Sequence, residues 1–446
     1  MTALLFVAGV VVFVVGLAVS IGLHEVGHMV FGKLFGVKVT QYFVGFGRTV
    51  WSTRRGETEY GVKAVPLGGY VKMIGMLPPG KHDPSGEPDT ESSRVRASTT
   101  GMFSQLISDA RRAEYEHVQP GDEDRLFYKL SWWRKLIVMG AGATTNVVLA
   151  FLLFGAVFML HGAPVPTTTV SQVSDCVIAV TPQSLDQPPR KCAPSDPVAP
   201  ARQAGLHKGD RVVAFNGAKI HSWAQLTRLI RANRDGAATI VVERNGHRIT
   251  THTNTTVSAR PKSADAPETI VKVGFLGIAP KQVLVKRDAG YVVTTMADYT
   301  WKTLQALGTL PGKMVGVAKA ALGLQPRAED SPMSVVGASR VAGSVASNQR
   351  LSGADKLFGL VALLGGINLF VGLFNFVPLL PLDGGHMAGA LFEAVRRGVA
   401  RVFRRPDPGY FDTAKLLPVA YVMAAVILVA SVVLVYADIV APVRLR

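Results

Sequence analysis

Four unbroken apolar runs, residues 3–23, 136–160, 357–377 and 416–436, are each long enough to cross a bilayer as a helix. The polar positions between them fall into different patterns. Within 37–76, "YFVGFGRTVWSTRRGETEYGVKAVPLGGYVKMIGM" mixes β-branched and aromatic residues with glycine. Its turn signals at "STRRGETEY" and "PLGG" predict a small β-meander. From Leu77 to about Asp124, Pro, Gly, Ser, Asp and Glu dominate, which predicts a flexible insert with a short helix around 103–117. The chain therefore divides into a spanning helix (1–36), a β-hairpin region (37–76), a flexible cytoplasmic insert (77–128) and a second spanning helix (129–160). A small α/β domain (166–260) and an amphipathic helical region (261–356) follow. A third spanning segment (357–395), a basic segment (396–415) and a fourth spanning helix (416–438) complete it.

In the α/β domain, a Gly-Asp turn leads into an apolar strand at 211–216, then a helix over 222–232. "VVERNGHRI" reads as a hairpin closed by Asn-Gly. The order of these signals resembles a PDZ domain of the bacterial protease type. The other reading is a small α/β domain without ligand specificity.

Charge sets the expected orientation. Lys33, Lys38, Arg48, Arg54, Arg55, Lys129, Arg134 and Lys135 lie between the first two runs; Arg396, Arg397, Arg401, Arg404, Arg405 and Lys415 lie between the last two. Both segments read as cytoplasmic, which leaves both termini and the 161–356 loop outside; Arg444 and Arg446 weigh mildly against this. The first run lacks a basic leader and reads as a retained helix rather than a cleaved signal. The net charge of +17 is spread over several loops, so it points to anionic membrane lipids and not to nucleic acid. Cys176 and Cys192 both fall in the outer loop, where a disulfide and two free buried thiols are equally open readings.

The chemistry begins at "SIGLHEVGHMV", residues 20–30. His24 and His28 are four apart, so on a helix they point from one face and can share a tetrahedral zinc ion. Glu25 can then stand beside the metal and take a proton from water. The bland alternative is a polar helix end solvated among headgroups, but ionisable residues within a spanning helix mark function by default. No further histidine or carboxylate follows within twenty-odd residues, so a third ligand must come from another helix. Asp383, in "FNFVPLLPLDGGH" among prolines and glycines that break the helix, is the candidate.

"HEVGH", then far downstream "NFVPLLPLDGG", with a PDZ-like domain between, resembles the site-2 protease family of intramembrane zinc metalloproteases. The likeness is to the bacterial regulator-of-sigma-E type in its actinobacterial single-PDZ form, and it covers nearly the whole chain. "AVPLGGYVKM" resembles the family's cytoplasmic-side hairpin, and "FYKLSWWRKLIVMGAGATTN" the approach to its second helix. Gly142-Ala143 stands where the family often has Gly-Pro, and the 77–124 insert is longer and more acidic than usual.

The resemblance implies Zn2+ held by His24, His28 and Asp383, with Glu25 as catalytic base. It implies substrate handling by Asn146, Asn375 and the hairpin residues Gly68, Gly69 and Tyr70. Asn375 as a cap for the helix break, and His386 as a partner of Asp383 or a packing residue, stay open. The implied fold is a multi-pass α-helical protein of the cell membrane, with four transmembrane helices and both termini extracytoplasmic. It would carry a cytoplasmic-side β-hairpin region and one extracytoplasmic PDZ-like domain. The implied substrate is a single-pass transmembrane protein, of the pre-trimmed anti-sigma factor type, or a remnant signal peptide. A peptide or carboxyl terminus would bind the PDZ-like domain. The rival is a non-proteolytic PDZ membrane scaffold with a structural metal site, which would have no need of Glu25. A transporter is disfavoured because the interrupted helices show no paired repeat.

Overall fold

The first apolar run forms one helix, α1 (Thr2–Leu34), without a proline. In the computed structural model, residues 2–79, 102–115, 118–181, 190–263, 266–328 and 330–443 are described. Of the insert expected over 77–128, residues 80–101, 116 and 117 lie outside the described ones, as do Arg444 and Arg446. The chain separates into two compact units, one of Met1–Val157, Ala289–Gln325 and Ser331–Pro442, the other centred on Phe158–Asp288.

In the first unit, α1 leads to β1 (Val39–Arg55) and β2 (Thr58–Met73). Two long strands make four runs here, because the start of β1 pairs with both halves of β2. Phe43 stands opposite Gly61 on one side and Tyr70 on the other, while the second half of β1 returns over the first half of β2, with Thr53 opposite Tyr60. Gly45 and Gly47, at φ +95° and +87°, supply the left-handed bends between the two halves of β1. The order across the sheet is 49–55, 58–63, 41–46 and 69–73, so residues 69–73 form an edge that is free among the described residues. The helix α2 (Met102–Tyr115) and the spanning helix α3 (Trp132–Ala156) follow.

The second unit contains β3 (Ala163–Val173), α4 (Pro200–Gln203), β4 (Arg211–Phe215), β5 (Ala218–Lys219) and α5 (Trp223–Asn233). Then come β6 (Ala237–Arg244), β7 (His247–Asn254), β8 (Thr256–Ser263), β9 (Ala266–Phe275) and β10 (Ile278–Val285). The main sheet runs β10-β3-β4-β6-β7, with β5 on β4 and β8–β9 as a separate hairpin. Asn245 and Gly246, both at positive φ, make the tight β6–β7 turn. Ser222 caps α5 by accepting the Gln225 N–H, and α5 buries Leu226 and Ile230 on Val212, Phe215, Ile240 and Val242. Cys176 and Cys192 are joined in a disulfide.

The chain returns to the first unit with α6 (Ala289–Ala321), α7 (Val335–Ser347), α8 (Gly353–Asn375), α9 (Asp383–Val402) and α10 (Leu417–Val440). Of the region expected as amphipathic over 261–356, the described residues up to Val285 instead form strands, the end of β8, β9 and β10. They complete the second unit, because their apolar positions pair into its sheets. Only the remainder forms helices, α6 and α7, packed on α3, α10 and α1. In α6, Tyr299 meets Phe154 edge-on at 5.3 Å, and Val317 and Ala321 pack on Ala437. The α7 helix lies on α1 through small residues: a β-carbon on Gly9 would stand 2.5 Å from Ala346 Cβ and 2.8 Å from the Ala342 carbonyl. Its N-terminus is capped from α10, where buried Asp438 accepts from the Ser334 N–H at 2.7 Å and the Gly337 N–H at 3.2 Å.

Among the described residues, α1, α3, α8 and α10 are long and apolar enough to cross a membrane. None of the α10 apolar window is buried within the protein. Val422, Leu428, Val429 and Val432 are all more than half exposed, which only a hydrocarbon solvent accommodates cheaply.

Candidate metal and active site

The site grows from three helices that each bring one feature. The His24–His28 spacing on α1 turns both imidazoles to one side, and both are buried. The α8 helix stops at Asn375, and α9 starts at Asp383 after a proline-rich turn. The two glycines after Asp383 let that turn close tightly: a β-carbon on Gly384 would collide with the Val377 carbonyl, and one on Gly385 would stand 2.6 Å from the Leu380 nitrogen. Any other residue pair would push the turn outward and Asp383 with it.

Oδ2 of Asp383 lies 3.2 Å from Nε2 of His24 and 3.3 Å from Nε2 of His28, and the two Nε2 atoms are 3.2 Å apart. With zinc bonds of ~2.0–2.1 Å, the ligand atoms of a tetrahedral site stand about 3.3 Å apart. Three edges of such a tetrahedron are therefore present, built from donor types that zinc accepts. Nδ1 of His28 is 2.8 Å from the Val138 carbonyl of α3. A carbonyl only accepts, so Nδ1 carries the proton and Nε2 turns its lone pair toward Asp383. Nδ1 of His24 is buried and makes no hydrogen bond among the described residues.

Glu25 sits half-buried on the neighbouring side of α1, with the Val71 backbone N–H within hydrogen-bonding reach. Val71 belongs to the free edge 69–73, and a β-carbon on Gly69 would stand 3.1 Å from Glu25 Cγ. The sheet is fixed to α1 by the Tyr42 hydroxyl, which donates to the Gly22 carbonyl at 2.9 Å. Tyr70 stacks on Phe43 and donates to Gln41 at 3.3 Å, so its side chain is held within the sheet. Gly68 has φ +99°, and a β-carbon there would clash with the Phe46 ring.

Asn146 is buried on α3, and its Oδ1 has no hydrogen-bond partner among the described residues. Asn375, the last residue of α8, is half-buried, and its side chain makes no hydrogen bond among the described residues that would cap the break. His386 is brought not to a hydrogen bond with Asp383 but to a pocket with Lys135, Glu393 and Phe411. Sequence reasoning missed Gly142 and the Val138 carbonyl. A β-carbon on Gly142 would overlap Nε2 of His28 and lie 2.7 Å from Nε2 of His24. The small-residue run "GAGA", 140–143, was the available signal, since such runs mark close approach in spanning helices.

Peptidase family M50 matches residues 12–404. The chain belongs to that family. The peptidase is 33% identical to the zinc metalloprotease Rip1 of Mycobacterium tuberculosis, over 99% of this chain and 100% of that one. It is 30% identical to Rip1 of Mycolicibacterium smegmatis, over 98% and 99%. A putative zinc metalloprotease of Brucella suis is 25% identical over 88% of this chain and 87% of its own.

Proposed function

We propose that this zinc metalloprotease cuts a peptide bond within the transmembrane segment of single-pass membrane proteins. The observation that carries the reading is the position of Glu25, between the His24–His28–Asp383 cluster and the free strand edge 69–73. Nε2 of His24, Nε2 of His28 and Oδ2 of Asp383 would hold the zinc. A zinc ion bound there would supply Lewis-acid chemistry for the scissile carbonyl and for the attacking water near neutral pH.

The chain's own residues do the rest. A substrate helix hides its carbonyls in its own hydrogen bonds, so it must unwind before attack. The 69–73 edge takes the unwound segment as an added strand, which sets its carbonyls in a row beside Glu25. Glu25 accepts the proton of the attacking water and delivers it to the leaving amine. Oδ1 of Asn146 and the side chain of Asn375 bond backbone groups freed from the substrate helix.

The second unit is read as a PDZ-like domain, because the order β4, β5, α5, β6, β7 with β10 returning beside β3 follows that pattern. In this reading it lies outside the cell membrane with both termini, and binds a peptide or a new carboxyl terminus. A pre-trimmed anti-sigma factor is the favoured substrate, and a remnant signal peptide the other.

The test compares wild type with Glu25→Gln in membranes carrying a model single-pass substrate, with bound zinc measured. Zinc in both and cleavage in wild type alone is expected. Cleavage surviving in Glu25→Gln would overturn the role of Glu25, and zinc retained in full by Asp383→Ala would overturn the third ligand.

A further inference from the structure

One buried ion pair in the first unit lies outside the chemistry described so far. Nζ of Lys135, in the first turns of α3, is 2.8 Å from Oε2 of Glu393 on α9. Their side chains are only 8% and 1% exposed, so neither charge is solvated in place of its partner. The other carboxylate oxygen faces Nη1 of Arg397 at 3.3 Å. The Phe411 N–H donates to Oε2 at 3.1 Å, and the Tyr410 ring lies over both Lys135 and Arg397 at about 5 Å. A buried carboxylate with this many directed partners cannot slide as an apolar contact can, because each lost partner leaves a charge stranded.

The placement of the pair gives it a consequence at the metal cluster. Lys135 is one turn before Val138, whose carbonyl fixes the His28 ring. Glu393 is on the helix that begins with Asp383. The sides of a closed frame are therefore the His28–Val138 hydrogen bond, the first turns of α3, the Lys135–Glu393 pair, α9 itself, and the Asp383–His28 contact. Segment 407–412 is bolted to the same corner. Arg396 donates to the carbonyls of Pro408, Gly409 and Tyr410, and Phe411 packs on Gly389.

We propose that Lys135 and Glu393 are positioning residues of the metal site, holding α3 and α9 at the spacing that brings Asp383 to the two histidines. The pair touches neither metal nor substrate and acts through Val138 and Asp383. The proposal rests on His24, His28 and Asp383 being the ligands.

The experiment uses the full-length protein in detergent or nanodiscs. Zinc affinity is measured by chelator competition, and the visible absorption of the cobalt-substituted protein reports ligand geometry. Lys135→Met and Glu393→Gln are expected to weaken zinc binding about tenfold or more, the order seen when partners of metal ligands are removed, and to change the cobalt spectrum. Lys135→Arg restores both. Folded single variants that bind zinc with wild-type affinity and give the wild-type cobalt spectrum would overturn the proposal. Should the single variants fail to fold, the double variant Lys135→Met/Glu393→Leu, which strands no charge, is judged by the same two readouts. Undiminished zinc affinity in Asp383→Ala would instead remove the ligand assignment beneath the proposal, which separates the two failures.

Discussion

Gly142 of α3 stands so close to His28 that a β-carbon at that position would overlap the imidazole Nε2 and lie 2.7 Å from Nε2 of His24. The only side chain that leaves room for a metal between the histidines there is a hydrogen atom. Gly142→Ala should favour the helix by up to ~1 kcal/mol through propensity yet lower zinc affinity by about 100-fold or more, beyond the cost of losing a ligand's outer partner. Zinc content and chelator competition on the folded variant check this; wild-type affinity would show that the histidines bind in another arrangement.

The hairpin makes a separable prediction. Gly68 combines φ +99° with contact against the Phe46 ring, so Gly68→Ala strains the backbone by ~1–3 kcal/mol at the start of the free edge. Zinc binding should persist while cleavage of a transmembrane substrate falls tenfold or more. Loss of zinc together with activity would mean that the sheet supports the ligands and not the substrate.

Asn146 offers a buried oxygen that no group among the described residues uses. Asn146→Ala therefore removes no internal hydrogen bond and should leave thermal stability within about 1 kcal/mol of wild type. Its effect belongs to catalysis, a fall of about tenfold for one lost substrate hydrogen bond. Equal cleavage rates in the two proteins would remove Asn146 from the site.

The second unit carries a pH dependence of known sign. Burial alone would raise the Asp210 carboxyl, but the Arg244 guanidinium at 2.7 and 2.8 Å and the His207 N–H at 2.8 Å outweigh it and hold the carboxyl below its usual range. A folded-state pKa depressed in this way adds stability above the unfolded value of ~3.9, which is lost as pH falls through the lower folded value. Hydrogen exchange of the β4 and β6 amides, corrected for intrinsic pH effects, should show protection that is level above about pH 5 and declines below about pH 4. In Asp210→Asn that decline should be smaller.

The apolar runs were legible because a bilayer demands about twenty consecutive apolar residues, a local property of sequence. His24 and His28 were legible for the same reason, since a spacing of four fixes their common face on a helix. Asp383 could be inferred from the isolation of a carboxylate among prolines and glycines. Val138 and Glu393 could not, because their roles depend on which helices touch, and the small-residue run around Gly142 marks a close approach without saying to what. A backbone carbonyl leaves no mark in a residue code, and the Lys135 to Glu393 pairing spans 258 positions. The four-run curl of β1 and β2 escaped for a related reason: turn signals locate bends, but not which half of a strand returns to which.

The small-residue contact of α1 with α7 bears on how the proposed substrate helix would be admitted. At Gly9 the N-terminal half of α1 is pressed against α7, and at His24 and His28 its C-terminal half carries the two imidazoles of the candidate site. One proline-free rod serves both ends, so tilting it to make way for an incoming helix would drag the imidazoles from Asp383. On the proposed reaction, a way in for the substrate opens by displacement of the surrounding helices while α1 keeps still, the fixed post on which the door is hung.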